Sequence, residues 1–283
     1  MDKLRILSNN VWSSRKNHTW WKEQGLDCSS AARAPKFARV YKDLLPDLIG
    51  WQEGDEFFRE LTLPAMKEIG LTNYEIITAG CTSLLYNKDK LELRESLFFV
   101  YPDTMEGYEG TYNEANSKSY GIGVFKVKES GKYIIFGSTH LWWMSGNPES
   151  KYYCHKSDEA REYQVNCMLD ALEALQKKYN CLAIAVGDFN ATCDSLAVKA
   201  AFARGYRHAH DIATDYADET EGCHFCYPWG YKSEAYSGPF EKSIDHILVK
   251  GEPEGFVKRF DRYSPDYYMP LSDHFPVYID VEY

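Results

Sequence analysis

The stretch LAIAVGDFN, residues 182–190, decides how this chain is read. Its first five residues are apolar without interruption, the pattern of a strand buried on both faces, and they run directly into Gly187, Asp188 and Asn190. An acid and an amide at the end of a buried strand are costly to bury and call for a reason. The arrangement recurs along the chain. Asn10 ends LRILSNN, Glu53 follows LIGWQ, His140 follows YIIFGST, Asp245 lies in SIDHILV, and Asp273 with His274 precede FPVYIDV. Taken singly, each reads equally well as a hydrogen-bonded cap or turn residue. Gathered at the ends of neighbouring strands, they make an oxygen-rich site of the kind Mg2+ or Mn2+ prefers. Two histidines beside it are suited to donate to a phosphate oxygen or a leaving group.

Working outward, strands are expected at 4–11, 47–51, 74–77, 83–86, 133–139, 182–186, 244–249 and 275–281. Phe37, Val40, Tyr41, Leu44 and Leu45 follow helical spacing, with Pro35 suited to the helix start. A second helix is expected over 157–178, with Val165, Met168, Leu169, Leu172 and Leu175 on its apolar stripe. Asp158 and Glu159 at its start and Lys177 and Lys178 at its end suit the helix dipole. Strands and helices without strict alternation point to an α+β architecture rather than a doubly wound sheet. No repeat or linker divides the chain, and 102–119 and 214–242 read as long loops, a type often functional.

The 283 residues allow one large domain or two ordinary ones, and 44% hydrophobic content excludes a disordered chain. A net charge of −10 argues against nonspecific coating of nucleic acid, although a bound cation reverses the field within one cleft. The start, MDKLRILSNN, has no apolar targeting core, so a soluble cytoplasmic protein is expected, or a secreted one if a signal peptide has been removed. Eight scattered cysteines read as thiols in a reducing compartment. Cys223 and Cys226 form a single CxxC, with His208 and His210 upstream. The spacing is not that of a known zinc finger, and ordinary core or loop residues explain it as well.

Six segments in order, SNNV (8–11), WQE (51–53), STHL (138–141), GDFN (187–190), SIDHILV (243–249) and LSDHFPV (271–277), resemble the signature of the endonuclease/exonuclease/phosphatase superfamily. They reach across nearly the whole chain, which favours one domain. The resemblance implies a four-layer α/β/β/α sandwich of two mixed, mainly antiparallel sheets flanked by helices, as in deoxyribonuclease I. It implies a hydrolase of phosphate esters that uses Mg2+, or Mn2+, held by Glu53 with Asn10 and Asp273. Asp188 and Asn190 would orient the attacking water, Asp188 as general base. His274, held by Asp245, would stabilise phosphoryl charge, and His140 would face the phosphate or the leaving oxygen. AP endonucleases are less similar, because they generally carry tyrosine where STHL supplies His140. Arg161 and Gln164 match an R-x-x-Q of many small members and read equally as a salt-bridging surface pair. His246 stands where the family often has Tyr and reads as packing or as a support behind the site residues.

Trp142, Trp143, Trp12, Trp229 and Tyr231 lie just beyond these segments or in the second long loop, placed to wall a cleft, with core packing the competing reading for Trp12 and Trp143. No basic stripe interleaves with them, which favours a small, sugar-linked or lipid phosphoester, expected to be a diester, over a polynucleotide. A monomer without a membrane span is expected. A deoxyribonuclease-type nuclease and a catalytically silent binding domain are the alternatives.

Overall fold

Continuous apolar strands need cover on both faces, and the chain supplies it by packing two sheets against each other and helices against their outer sides. The computed structural model describes residues 2–13, 22–23, 25, 27–216, 243–268 and 271–283. One sheet has seven strands in the order β10 (Asp215–Tyr216), β12 (Val257–Arg262), β13 (Val277–Glu282), β1, β2, β4 (Leu84–Asn87), β3 (Tyr74–Ile77), the other six in the order β5 (Leu91–Val100), β6 (Ser119–Val127), β7, β8, β11, β9 (Arg207–His208). The strands that matter for the site are β1 (Lys3–Asn10) and β2 (Leu48–Gln52) in the first sheet, and β7 (Tyr133–His140), β8 (Leu182–Asp188) and β11 (Asp245–Lys250) in the second. β1 and β2 run parallel, as do β7 and β8, while β11 runs antiparallel to β8. The C-terminal ends of β1, β2, β7 and β8 therefore meet the start of β11 at one end of the sandwich.

β2 shows how the layers close. Trp51 faces outward, where its Nε1 donates to Tyr41 Oη at 2.7 Å and its ring meets Phe58 edge-on at 5.3 Å. Tyr41 lies on α1 (Ser30–Leu44) and Phe58 on α2 (Glu56–Glu68), so the two helices cover this sheet. Each such fully buried side chain contributes roughly 1.5–3 kcal/mol. On the inner side a Cβ at Gly50 would lie 2.7 Å from Val186 Cγ2 and 2.9 Å from Ser138 Cβ, so glycine lets the sheets approach here. The outer face of the second sheet packs under α3 (Ser157–Tyr179) and α4 (Leu196–Ala203).

α3 matches its expected span to within one residue. α1 starts five residues before Pro35, because Ser29 caps it by accepting from the Ala32 amide at 3.3 Å; the proline sits inside the helix, and Leu45 is its exposed left-handed C-cap. The sequence pattern missed α2, β5 (Leu91–Val100), β6 (Ser119–Val127) and β12 (Val257–Arg262). α2 contains Pro64, β6 two glycines, β5 charged residues over its first half and β12 charged residues along its length. Among the described residues no helix is long and apolar enough to cross a membrane.

Candidate active site

Strand register alone aligns three of the polar strand-end residues. His140 lies opposite Asp188 across β7 and β8, and Asp188 opposite Asp245 across β8 and β11. Gly187 sets the approach: its φ is 152°, and a Cβ there would lie 2.0 Å from the Thr139 carbonyl oxygen. Only glycine serves at that position.

Asp188 is the hub. Its Oδ1 accepts from the Asn190 amide at 2.9 Å and its Oδ2 from Asn10 Nδ2 at 2.9 Å, with His140 Nε2 at 3.4 Å and His274 Nε2 at 3.7 Å. Burial opposes its charge, but the positive charge of His274, with Lys118 further off, outweighs that and holds the carboxyl below the ordinary aspartate value. His274 Nδ1 donates to Asp245 Oδ2 at 2.7 Å. Burial pushes Asp245 up to about 6; burial also opposes charge on His274, yet Asp245 and Asp188 prevail and raise it to about 10. At neutral pH the two form an imidazolium–carboxylate pair. Asn190, at φ 50°, donates from Nδ2 to the Leu141 carbonyl at 3.1 Å.

Glu53, also left-handed at φ 60°, accepts from the Ser13 amide at 3.0 Å, and Asn10 Nδ2 lies 3.5 Å from its other oxygen. Asp273 Oδ1 lies 3.9 Å from His274 Nε2. These groups open onto a cleft of about 520 Å3 lined by five carboxylates (Glu53, Asp55, Glu114, Asp188 and Asp273) against Lys118, His140 and His274. So acidic a cleft repels a phosphate unless a cation neutralises it, and its all-oxygen acid set suits a hard divalent ion rather than a soft one. Glu53, one residue beyond the end of β2, faces the cleft with Asn10 beside it and Asp273 on the same lining.

Two side chains that the sequence did not single out complete the arrangement. Lys118, 3% exposed, lies in the coil before β6 and places Nζ 2.6 Å from His140 Nε2. An ammonium only donates, so Nε2 accepts and the His140 ring proton sits on Nδ1. Arg33 is buried in the first turn of α1, and its Nη1 donates at 2.8 Å to the carbonyls of Val11, Trp12 and Leu271. It ties together the segments that carry Asn10 and Asp273. Burial lowers its pKa. No periodic pattern marks Lys118, whereas Arg33 lies one turn before Phe37 on the buried stripe of α1 but carries a charge that reads as surface.

Three expectations need correction. Trp142 does not wall the cleft: it is 1% exposed, its Nε1 donates to Ser157 Oγ at 3.2 Å, and its ring packs on Tyr112. Trp143 lines the cleft instead, while Trp12 is buried and absent from its lining. Arg161 and Gln164 are neither cleft residues nor a surface pair. Arg161 donates to the Trp142 and Met144 carbonyls at 3.1 and 2.7 Å, and Gln164 Oε1 accepts from the Trp142 amide at 2.8 Å, so both brace the loop after His140.

 Trp229 and Tyr231, like Cys223 and Cys226, lie outside the described residues. Of the first long loop, Glu114, Ala115, Ser117 and Lys118 line the cleft.

With this geometry in view, comparison with known proteins is decisive for the family. The model of the endonuclease/exonuclease/phosphatase family matches residues 10–274. The chain belongs to that family. Its members hydrolyse phosphate esters and generally depend on a divalent cation, so this family member is a hydrolase of that class. Among solved structures it is similar to a mannosyl-6-phosphatase from Bacteroides thetaiotaomicron (22% identity, TM-score 0.70, covering 99% of this chain and 100% of that one). A second is a family protein from Bacteroides vulgatus (20%, TM-score 0.74, 100% and 99%). A third is D. rerio TDP2 complexed with a single-strand DNA product (17%, TM-score 0.67, 100% of both). At these identities the likeness shows the fold alone. No curated protein matches the chain.

Proposed function

We propose that the chain is a Mg2+-dependent phosphatase of a small, sugar-linked phosphate monoester. The observation that carries this reading is the cleft itself: about 520 Å3, acidic, with the buried Lys118 ammonium beside two histidines at its floor and the Trp143 ring on its wall. That volume suits a small ligand rather than a polymer. Two donors beside Asp188, Lys118 Nζ and His274 Nε2, together with the cation that Glu53 would hold, suit the terminal oxygens of a monoester better than those of a diester, a change from the diester expected from sequence. The similarity to a mannosyl-6-phosphatase supports a sugar phosphate.

Glu53, with Asn10 and Asp273 beside it, would hold the cation, which when bound neutralises phosphate charge and polarises the phosphoryl group. Lys118 and His274 donate to phosphoryl oxygens as charge builds on them. Asp188, ionised and fixed by Asn10 and the Asn190 amide, accepts the proton of the attacking water. Asp245 keeps His274 oriented and charged. His140, carrying its proton on Nδ1, holds Lys118 in place. Trp143 offers a flat apolar face to a sugar ring.

The test is phosphate release by wild type and Asp188→Asn from a panel containing mannose 6-phosphate, a choline phospholipid and plasmid DNA, with Mg2+ and with chelator. The reading expects Mg2+-dependent release from the sugar monoester that the variant loses. Cleavage of a diester with the sugar monoester untouched, or turnover indifferent to chelator, overturns it.

A further inference from the structure

Behind the cleft, on the outer face of the second sheet, a separate group of side chains converges. Cys193, His208 and His246 each bring one ligand atom to within 4.8 Å of the others. His246 follows Asp245 on β11, and His208 sits on the neighbouring short strand β9 (Arg207–His208), in register with Leu248. Both imidazoles are buried, at 0% and 1% exposure. Phe189 stacks edge-on against His246 at 5.2 Å, and Phe260 lies 5.8 Å from His208.

The hydrogen bonds fix the tautomers. The Ala191 carbonyl only accepts, so at 2.7 Å the proton of His246 is on Nε2 and its Nδ1 lone pair faces His208 Nε2 at 3.0 Å. A ring whose outer N–H is tied to a backbone carbonyl, with its other nitrogen aimed at a second imidazole and a thiol, has the arrangement of a metal-ligating histidine and its supporting contact. Two imidazole nitrogens and one sulfur form a borderline-soft set, which selects Zn2+ over the hard cation that suits the acid cleft.

We propose that Cys193, His208 and His246 supply three of the four ligands of a structural zinc ion that ties the segment after Asn190 to β9 and β11. The ion takes the place of the proton between the two rings. Cys193 binds as thiolate, releasing its proton to solvent, and His208 carries its proton on Nδ1. The 3.2 Å contact from the His210 amide to that nitrogen is then given up. His210 itself turns to Asp211 at 3.1 Å and is not part of the set. The ion holds the backbone from Ala191 to Cys193 directly behind Asp188 and Asn190, so it acts on the catalytic loop as a brace and touches no substrate.

The test is zinc content of the full chain, purified from zinc-supplemented culture and dialysed against Mg2+ buffer. About one equivalent per chain is expected. Cys193→Ser and His208→Gln each lose it, whereas Glu53→Gln, which alters the acid cleft, retains it. With Co2+ in place of zinc, wild type shows a thiolate charge-transfer band that Cys193→Ser lacks. Circular dichroism melting confirms that each variant is folded when its metal is counted. Folded wild type without zinc, zinc unchanged in folded Cys193→Ser, or zinc lost on Glu53→Gln overturns the assignment. None of these readouts depends on turnover, so the zinc site stands or falls apart from the proposed phosphatase activity.

Discussion

Asp245 and His246 are neighbours on one strand and belong to two different chemistries. A strand alternates its side chains, and β11 does so strictly: Ile247 and Val249 join the core between the sheets, while Leu248 joins the core under α3 and α4. Asp245 thus points toward the cleft and His246 away from it. On the cleft side, two carboxylates surround His274 and raise it to about 10. On the far side, His246 meets a carbonyl and another imidazole, and burial lowers it to about 4. Burial is complete in both places. The charge of the partner decides which histidine is an imidazolium at neutral pH, and only the charged one stands where a phosphate would be.

The largest effect that breaks or upholds this contrast is on turnover. Asp188→Asn keeps the shape of the hub but removes its proton acceptor, and kcat for a sugar phosphate should fall by about 10³-fold or more, with the melting temperature little changed. A variant within tenfold of wild type would remove Asp188 from the chemistry and leave the charged face without a function.

Next comes the neutral face. The unfolded chain protonates His246 near 6.5 but the folded chain only near 4, so this residue's contribution is intact above pH 6.5 and lost as the pH falls through 4. The loss amounts to about 3 kcal/mol in metal-free protein. Asp245, raised to about 6, works in the opposite direction over the same range, because the folded chain binds its proton more tightly. The informative quantity is therefore the difference in denaturant stability between wild type and His246→Gln, measured at pH 7 and pH 4.5. The difference should shrink on acidification; if it is constant, His246 is not held neutral by the fold.

The parts of this arrangement that could be read from sequence are those where burial cost and strand ends coincide. Asn10, Glu53, His140, Asp188, Asp245 and His274 each interrupt an apolar run, and an expensive polar residue in such a place is visible without a structure. Lys118 is not visible in this way. It reaches the cleft from coil, where no period relates side-chain direction to sequence, and its charge looks like any surface lysine. Arg33 is hidden for a different reason: its Nη1 donates to three backbone carbonyls, which leaves no acidic partner in the sequence to pair it with. Arg161 was visible as a motif residue but its direction was not, since a helix face does not say which loop it braces.

Lys118 gives the third prediction. Removing its ammonium in Lys118→Met should raise KM for a phosphate monoester by about tenfold to a hundredfold, the worth of one charge-assisted hydrogen bond, and Lys118→Arg should recover part of it. A diester substrate, with one charge fewer, should be affected less. An equal loss on both would make Lys118 a support for His140 alone.

The smallest effect concerns a second pair of neighbours that diverge. Trp142 turns inward to Ser157 and Tyr112, whereas Trp143 is 38% exposed on the cleft wall, with Tyr152 edge-on at 5.3 Å behind it. No strand or helix period operates in this loop, so the carbonyl and amide contacts of Arg161 and Gln164 decide which ring faces out. If Trp143 meets the sugar, Trp143→Ala loses about 0.5–1.5 kcal/mol of contact, a rise in KM of roughly threefold to tenfold, with kcat and melting temperature close to wild type. The same substitution should leave the KM of a small aryl-free ester such as glycerol phosphate nearly unchanged, because such a ligand is too short to reach the ring. A KM shift shared by both substrates would mean that Trp143 shapes the phosphate end of the cleft, and the wall would have to be sought elsewhere.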